Sequence, residues 1–322
     1  MIYRSAAEIV LDDIFLELPD FVPGRNTYLK LEGLNPAGSI KLKTAAALIR
    51  SVRDAGRLDP GFGVIESSSG NLGVALAVVC STEKIPLTIV TDPNASPMAV
   101  SAMEALGANV VVVNERDSNG GFLGTRIRTV QQSVDDSGDL VWLNQYANRA
   151  NTQVHKDLTA AAVARQFDFV DALFVGAGTT GTLMGCAEFF SDHSPATSVV
   201  GVDTEGSVTF GGAAGKRYIP GLGTSRRPEL YDDRLDFTRA TVPEADTVAM
   251  CRLIAERFGL LVGGSTGTVL TALRTHGHSY PENATLVAIS PDQGEKYLDS
   301  VYSDEWTTMR GLIREAEHDE IH

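Results

Sequence analysis

The stretch Ala172-Leu173-Phe174-Val175-Gly176-Ala177-Gly178-Thr179-Thr180-Gly181-Thr182 reads as a strand, a turn and the start of a helix. Four apolar residues in a row suit a strand covered on both faces. The glycines let backbone approach a ligand closely, and the threonines add hydroxyl donors. The apolar run Leu183-Met184-Gly185-Cys186-Ala187 then continues as a helix, whose N-terminus favours an anion. The same order recurs upstream. Gly63-Val64-Ile65 leads into Glu66-Ser67-Ser68-Ser69-Gly70-Asn71-Leu72-Gly73, and Val74-Ala75-Leu76-Ala77-Val78-Val79 follows as a helix. Three hydroxyls, an amide and backbone N–H groups meet there, a second anion cradle. Neither turn fits the Gly-x-Gly-x-x-Gly dinucleotide pattern with its later acidic residue, and no Gly-x-x-x-x-Gly-Lys-Ser/Thr occurs. An ordinary strand-to-helix turn is also rich in Gly, Ser and Thr, so each loop alone leaves both readings open.

Working outward, further strand-like runs occur at Thr27–Glu32, Leu87–Val90, Val110–Val113, Leu140–Trp142, Val199–Val202 and Leu286–Ile289, with helical patterns between them. Continuous apolar strands joined by helices predict parallel sheets covered on both faces, an α/β chain. The chain's 322 residues are enough for two domains, and 43% hydrophobic residues suits well-formed cores. No apolar run reaches membrane-spanning length. Met1–Glu8 lacks the apolar core of a signal peptide. Cys80, Cys186 and Cys251 are widely spaced in apolar, helix-like stretches and read as reduced core residues. The cytoplasm is the expected location. A formal net charge of −14 and the lack of a basic stripe argue against nucleic acid. The same acidity makes long-range steering of an anionic substrate unfavourable, so local donors and a few placed cations must hold it. The histidines, His155, His193, His276, His278, His318 and His322, show no metal-ligand spacing, and no metal is expected; His276 and His278 read as solvated loop residues. The charged tail Arg314–Glu320 is expected to fray.

The chemistry centres on Asn35-Pro36-Ala37-Gly38-Ser39-Ile40-Lys41, a turn that sets a lysine at the mouth of the alanine-rich helix Thr44–Arg50. An electropositive helix N-terminus favours the uncharged amine, and such an amine can form a Schiff base with an aldehyde. A solvated surface lysine is the alternative.

Taken with the two loops and with Gly263-Gly264-Ser265-Thr266-Gly267, this turn gives the chain its likeness. It resembles the fold-type II enzymes that use pyridoxal 5′-phosphate, the cysteine synthase and cystathionine β-synthase group, from about Leu29 to Trp306. Within that group it resembles the siderophore and antibiotic branch that makes N-(2-amino-2-carboxyethyl)-L-glutamate, the precursor of 2,3-diaminopropionate. The segments that carry the likeness include Glu66–Gly73, Asp117–Arg126, Asn144–Asn148, Gly206–Gly211, Pro220–Arg226 and Tyr297–Asp304.

The resemblance implies two open α/β domains with parallel sheets, a tryptophan synthase β-like arrangement. A large cofactor-binding domain would take residues 1–43 and 146–322, and a small mobile one residues 44–145, with the cofactor in the cleft. It implies that Lys41 holds the cofactor as an internal aldimine and then removes the substrate Cα proton. It implies that Gly178, Thr179, Thr180, Gly181 and Thr182 bind the cofactor phosphate, that Asn71 bonds the 3′-oxygen, and that Ser265 faces the pyridine nitrogen. Ser68, Ser69 and Gln145 would hold the substrate α-carboxylate. A serine rather than an aspartate at the ring nitrogen makes a weaker electron sink, which favours prompt loss of a Cβ leaving group. The implied reaction is a β-replacement through an aminoacrylate, with O-phospho-L-serine as donor and the L-glutamate amine as nucleophile. Both are strongly anionic, and Arg126 and Arg226 are the candidate cations, with Tyr146 beside Gln145 as a possible donor. A solvent-facing salt bridge is the alternative for either arginine, and packing is the alternative for the tyrosine. Leu42-Lys43 stands where many cysteine synthases have Asp-Arg, and Leu72 where they have threonine. Those departures favour the diaminopropionate branch. The alternatives are an O-acetylserine or O-phosphoserine sulfhydrylase and, from another class, a non-catalytic amino-acid sensor. A homodimer is expected from the family only.

Overall fold

The computed structural model describes residues 2–117 and 120–313. The tail expected to fray, with His318 and His322, lies outside the described residues, as do Ser118 and Asn119 of the 117–126 segment. In chain order the elements are β1 (Phe15–Glu17), β2 (Asn26–Leu31), α1 (Lys41–Asp54), β3 (Gly63–Ser67), α2 (Asn71–Glu83) and β4 (Leu87–Thr91). Next come α3 (Pro97–Ala105), β5 (Asn109–Val112), α4 (Leu123–Ser137), β6 (Leu140–Trp142), α5 (Ala150–Val154), a π-helical turn (His155–Ala160) and α6 (Ala161–Gln166). Then follow β7 (Ala172–Gly176), α7 (Gly181–His193), β8 (Ser198–Thr204), β9 (Thr238–Val242), α8 (Glu244–Phe258), α9 (Gly264–Gly277), β10 (Thr285–Ser290) and α10 (Asp304–Met309), with short 3-10 turns at Ala6–Glu8 and Gly294–Tyr297.

These form two sheets: six strands in the order β1-β2-β10-β7-β8-β9, and four in the order β5-β4-β3-β6. Every pairing is parallel except that of β1 with β2. β1 is a three-residue antiparallel edge that purely parallel expectations miss; only Phe15 and Leu16 are apolar in it, too little for a periodicity.

Strand alternation builds the cores. In the four-stranded sheet Val64 and Ile89 face one cluster, completed by Leu42, Ala45, Leu48 and Ile49 of α1, while Ile65 and Val90 face another with Val130 of α4. In the six-stranded sheet Phe174, Val200 and Leu286 point to one side, and Leu173, Val199 and Val287 to the other. Both faces are covered, as runs of consecutive apolar residues require. β5 departs from this: Val111 and Val112 are 36% and 47% exposed, because the strand is an edge. The three cysteines are free and buried, one in each of the three large clusters, and burial pushes each thiol up to about 12. Among the described residues no helix is long and apolar enough to cross a membrane. Among the same residues no group of three or more His, Cys, Asp or Glu could hold a metal ion.

Lys43, two residues after Lys41, is 3% exposed. Its ammonium lies 2.8 Å from Glu32, 3.2 Å from Thr159 Oγ1, and against Asp12. Glu32 also pairs with the fully buried Lys30 at 2.9 Å. This network ties α1 to β2 and so fixes where the helix carrying Lys41 begins.

Candidate active site

The carboxyl ends of β2, β3, β6, β7 and β10 lead into the segments that carry the candidate residues, the usual position of a ligand cleft in open α/β sheets. After β2 the chain makes an Asn-centred turn. Asn35 Oδ1 accepts from Ala37 N at 3.0 Å, and its Nδ2 donates to the carbonyls of Glu32 and Ser39 at 2.9 Å. Gly38 sits at φ +61°, where a side chain would be strained. Ile40 N then donates to Pro291 O at 2.7 Å, anchoring the turn beyond β10. Lys41 is the first residue of α1, with no side-chain cap beside it. Burial pushes its amine below the usual lysine range, and the Asp292 carboxylate opposes that. Among the described residues the amine has no hydrogen-bond or ion-pair partner.

Between β7 and α7 the chain is shaped for close approach. Thr180, 2% exposed, adopts φ +68°, uncommon for a β-branched residue, and its Oγ1 is buried without a partner. A Cβ on Gly178 would come 2.9 Å from Gly221 O, and one on Gly181 would overlap the Asn151 carboxamide. Asn151 is a residue the sequence did not single out. Its Nδ2 donates to Gln145 O at 2.8 Å and to Thr179 Oγ1 at 3.1 Å, and its Oδ1 accepts from Thr44 Oγ1 at 3.2 Å. One buried amide thus joins the lysine helix, the Gln145 segment and the 178–182 loop. Thr44 also meets His155 Nε2 at 3.1 Å. Burial holds that imidazole well below the usual histidine range, and the charges of Lys41 and Lys43 act in the same direction. His276, expected in a loop, lies in the last turn of α9, and His278 caps that helix; both are exposed.

Between β3 and α2, Ser68 Oγ accepts from Gly70 N at 3.3 Å and Gly73 N at 3.0 Å, capping the helix. Ser69 and Asn71 are half-buried beside it. Gln145 is buried, its Nε2 donating to Ser67 O at 2.9 Å and its backbone N–H to Glu66 Oε2 at 3.1 Å. Glu66 also accepts from Ser67 N at 2.7 Å and Trp142 Nε1 at 3.3 Å. Burial pushes its carboxyl up to about 7 against the pull of those donors and of Arg126. Leu72 is 2% exposed within the core of the four-stranded sheet, so no hydroxyl is presented there.

Ser265 follows the first residue of α9, is 3% exposed, and sets its hydroxyl against the backbone of Gly221 (φ +109°). Arg126, in the first turn of α4, is 7% exposed. Its Nε lies 3.3 Å from Asp92 Oδ2, yet neither Nε nor Nη1 has a hydrogen-bond partner. Burial raises the Tyr146 phenol, while the Arg126 charge opposes and those of Glu66 and Asp92 add to it, so Tyr146 lies among these three groups. Arg226 is not drawn into the group. It is exposed and pairs with Glu229, three residues on, at 3.1 Å.

Two further residues come from beyond β10. Asp292 Oδ2 accepts from Asn71 Nδ2 at 2.7 Å and from Tyr297 OH at 2.6 Å. Lys296 Nζ donates to Asn71 Oδ1 at 2.7 Å and to Gly38 O at 3.0 Å. Position after a central strand was the signal available for Asp292. Nothing in the sequence pairs it with a residue 221 positions earlier.

A sequence model of the family described as "Pyridoxal-phosphate dependent enzyme" matches residues 15–292. The N-(2-amino-2-carboxyethyl)-L-glutamate synthase of Ralstonia nicotianae is 40% identical over 311 residues, covering 95% of this chain and 91% of that protein. Among solved structures, the O-acetylserine dependent cystathionine beta-synthase from Helicobacter pylori has a TM-score of 0.87 at 26% identity, covering 94% of this chain and 100% of that one. A hydrogen sulfide-producing enzyme from Fusobacterium nucleatum has a TM-score of 0.86 at 26% identity, covering 92% of this chain and 99% of that one. An O-ureido-L-serine synthase has the same fold, with a TM-score of 0.87 at 24% identity over 96% of this chain and all of that one.

Proposed function

The chain belongs to the family of pyridoxal-phosphate dependent enzymes, and from that premise we propose that it is a β-replacement synthase. It joins O-phospho-L-serine to L-glutamate, giving N-(2-amino-2-carboxyethyl)-L-glutamate and phosphate. The product would supply 2,3-diaminopropionate for a siderophore or a peptide antibiotic. The named relative from R. nicotianae supports the product.

The donor set fits the cofactor. A buried, unpartnered Thr180 hydroxyl and a glycine cradle open the thirteen-residue α7, which suits a phosphate. When bound, pyridoxal 5′-phosphate supplies an aldehyde for amines and an electron sink that eases loss of a Cβ substituent. Lys41 would hold it through Nζ, whose burial shifts the amine toward its uncharged form. The same Nζ is the group that would take the substrate Cα proton. Gly178 to Thr182 take the phosphate, Asn71 the 3′-oxygen and Ser265 the ring nitrogen. Ser68, Ser69 and Gln145 take the substrate α-carboxylate. Movement of residues 44–145 toward the rest would exclude water from this cleft. A cytoplasmic homodimer belongs to the same reading.

The observation that carries the substrate choice is Arg126. It is nine-tenths buried, with two guanidinium nitrogens that make no hydrogen bond, one of them only ion-paired with Asp92, beside Tyr146 and the Gln145 segment. A buried, incompletely paired guanidinium is suited to a phosphate or a second carboxylate. An acetyl ester is neutral and offers a guanidinium only a carbonyl acceptor, a weaker partner than a phosphate dianion. Holoenzyme is mixed with O-phosphoserine or O-acetylserine, then with glutamate or sulfide. Phosphate release is followed, and the product is identified by mass. Glutamate adduct from O-phosphoserine is the expected result. Cysteine alone would mark the chain as a sulfhydrylase instead.

A further inference from the structure

A carboxamide offers two N–H donors at one end and an acceptor at the other. In Asn71 both ends are already engaged by charged groups. Its Nδ2 donates to Asp292 Oδ2, and its Oδ1 accepts from Lys296 Nζ, each at 2.7 Å. A carboxylate accepts only and an ammonium donates only, so a flipped amide would set acceptor on acceptor and donor on donor. Tyr297 OH, at 2.6 Å on the same carboxylate oxygen, holds Asp292 in place. Lys296 is held by its second bond, 3.0 Å to Gly38 O in the turn before Lys41. The other Asp292 oxygen is buried and unpartnered, against Gly263. Burial raises the Asp292 carboxyl and lowers the Lys296 amine, so both depend on the partners they have. Asn71 opens α2 on the four-stranded sheet, while its two holders follow the last strand of the six-stranded one.

We propose that Asp292 and Lys296 are positioning residues for Asn71, fixing its amide so that one N–H remains to donate to the cofactor's 3′-oxygen. This rests on the reading that Asn71 makes that contact. A phenolic oxygen held as an acceptor needs the N–H end, and a freely flipping amide would present its carbonyl part of the time. The two holders remove that second orientation.

The test uses holoenzymes of Lys296→Met, Lys296→Arg, Asp292→Asn, Asn71→Ala and the Asn71→Ala/Lys296→Met pair. Cofactor affinity is measured by fluorescence titration, together with the visible absorbance of the bound cofactor and the melting temperature of the cofactor-free protein. Lys296→Met is expected to weaken cofactor binding about tenfold and shift the absorbance band, with the cofactor-free melting temperature unchanged. Lys296→Arg restores both, and Lys296→Met adds nothing once Asn71 is alanine. If Asn71→Ala changes affinity and band while Lys296→Met and Asp292→Asn change neither, the positioning role is wrong and the Asn71 contact stands. An equal Lys296→Met effect in the Asn71→Ala background also overturns it, since Lys296 would then act alone. Should Asn71→Ala alter neither readout, the contact itself is wrong and the inference goes with it. If Asp292→Asn fails to fold, the Lys296 cycle decides.

Discussion

A guanidinium withdrawn from water with two nitrogens unpartnered is costly unless a ligand completes its bonding. Arg126 is in that position, and Asp92 at 3.3 Å satisfies it only in part. Arg126→Ala is therefore expected to lower kcat/KM for O-phosphoserine by ~100-fold. Use of O-acetylserine should change far less, and the absorbance of the bound cofactor should stay as it is. Steady-state kinetics with the two esters decide it; an equal loss on both would mean that Arg126 does not hold the phosphate of the donor. The sequence put Arg126 first and Arg226 second, although each follows a glycine-rich run. What separates them is burial, which depends on segments far from either. Lys41 was legible because its turn, its helix and its neighbours are local. Asp292 and Lys296 were not, because their meaning comes from Asn71, more than two hundred positions away.

At the scale of elements, the N-terminus of α7 trades stability for a donor. Thr180 holds φ +68° and keeps an unpartnered buried hydroxyl, two costs at one residue. Thr180→Gly should relieve both, raising the stability of the cofactor-free protein by about 1 kcal/mol. It should weaken cofactor binding at the same time by about tenfold. Urea unfolding and cofactor titration read the two effects separately, and a loss on both counts would contradict this account. The start of α1 makes a different demand. Glu32 lies between Lys30 and Lys43, all three buried, and Glu32→Gln would leave two ammonium groups with Asp12 as their remaining acid. A destabilisation of about 3–5 kcal/mol is expected, read as a lower urea midpoint. Loops of glycine and threonine between apolar runs announce strand-to-helix turns, so the α7 terminus could be read from sequence. β1, three residues long, and β9, with Thr238 and Arg239 exposed, carry too weak a pattern. The Lys43 network was invisible for another reason: lysine at that position read only as a departure from family habit.

The whole molecule is acidic, and its cleft joins two sheets through buried polar groups that no local pattern reveals. The cleft at the strand ends was implied by the family resemblance, whereas parallel strands and crossover helices follow from periodicity, because hydrophobic burial dictates them. The cross-links between distant segments do not, and Glu66 shows how one of them bears on the entire fold. Its carboxylate accepts from Gln145 N, 79 positions away, as well as from Ser67 N and Trp142 Nε1, with Arg126 and Tyr146 as its charged or titratable neighbours. Burial moves its carboxyl from 4.5 up to about 7. As pH rises through 4.5 the unfolded chain releases this proton while the folded one keeps it, until about 7. The stabilisation is complete below the lower value and gone above the higher, a difference of about 3 kcal/mol. His155 acts oppositely, since its imidazole resists protonation when folded, so a raw stability profile mixes the two. Subtracting the profile of Glu66→Gln isolates the carboxyl. The urea midpoint of the native protein should fall relative to that variant between about pH 4.5 and about pH 7. Parallel profiles would mean that Glu66 keeps one protonation state throughout, with its three N–H donors outweighing its burial.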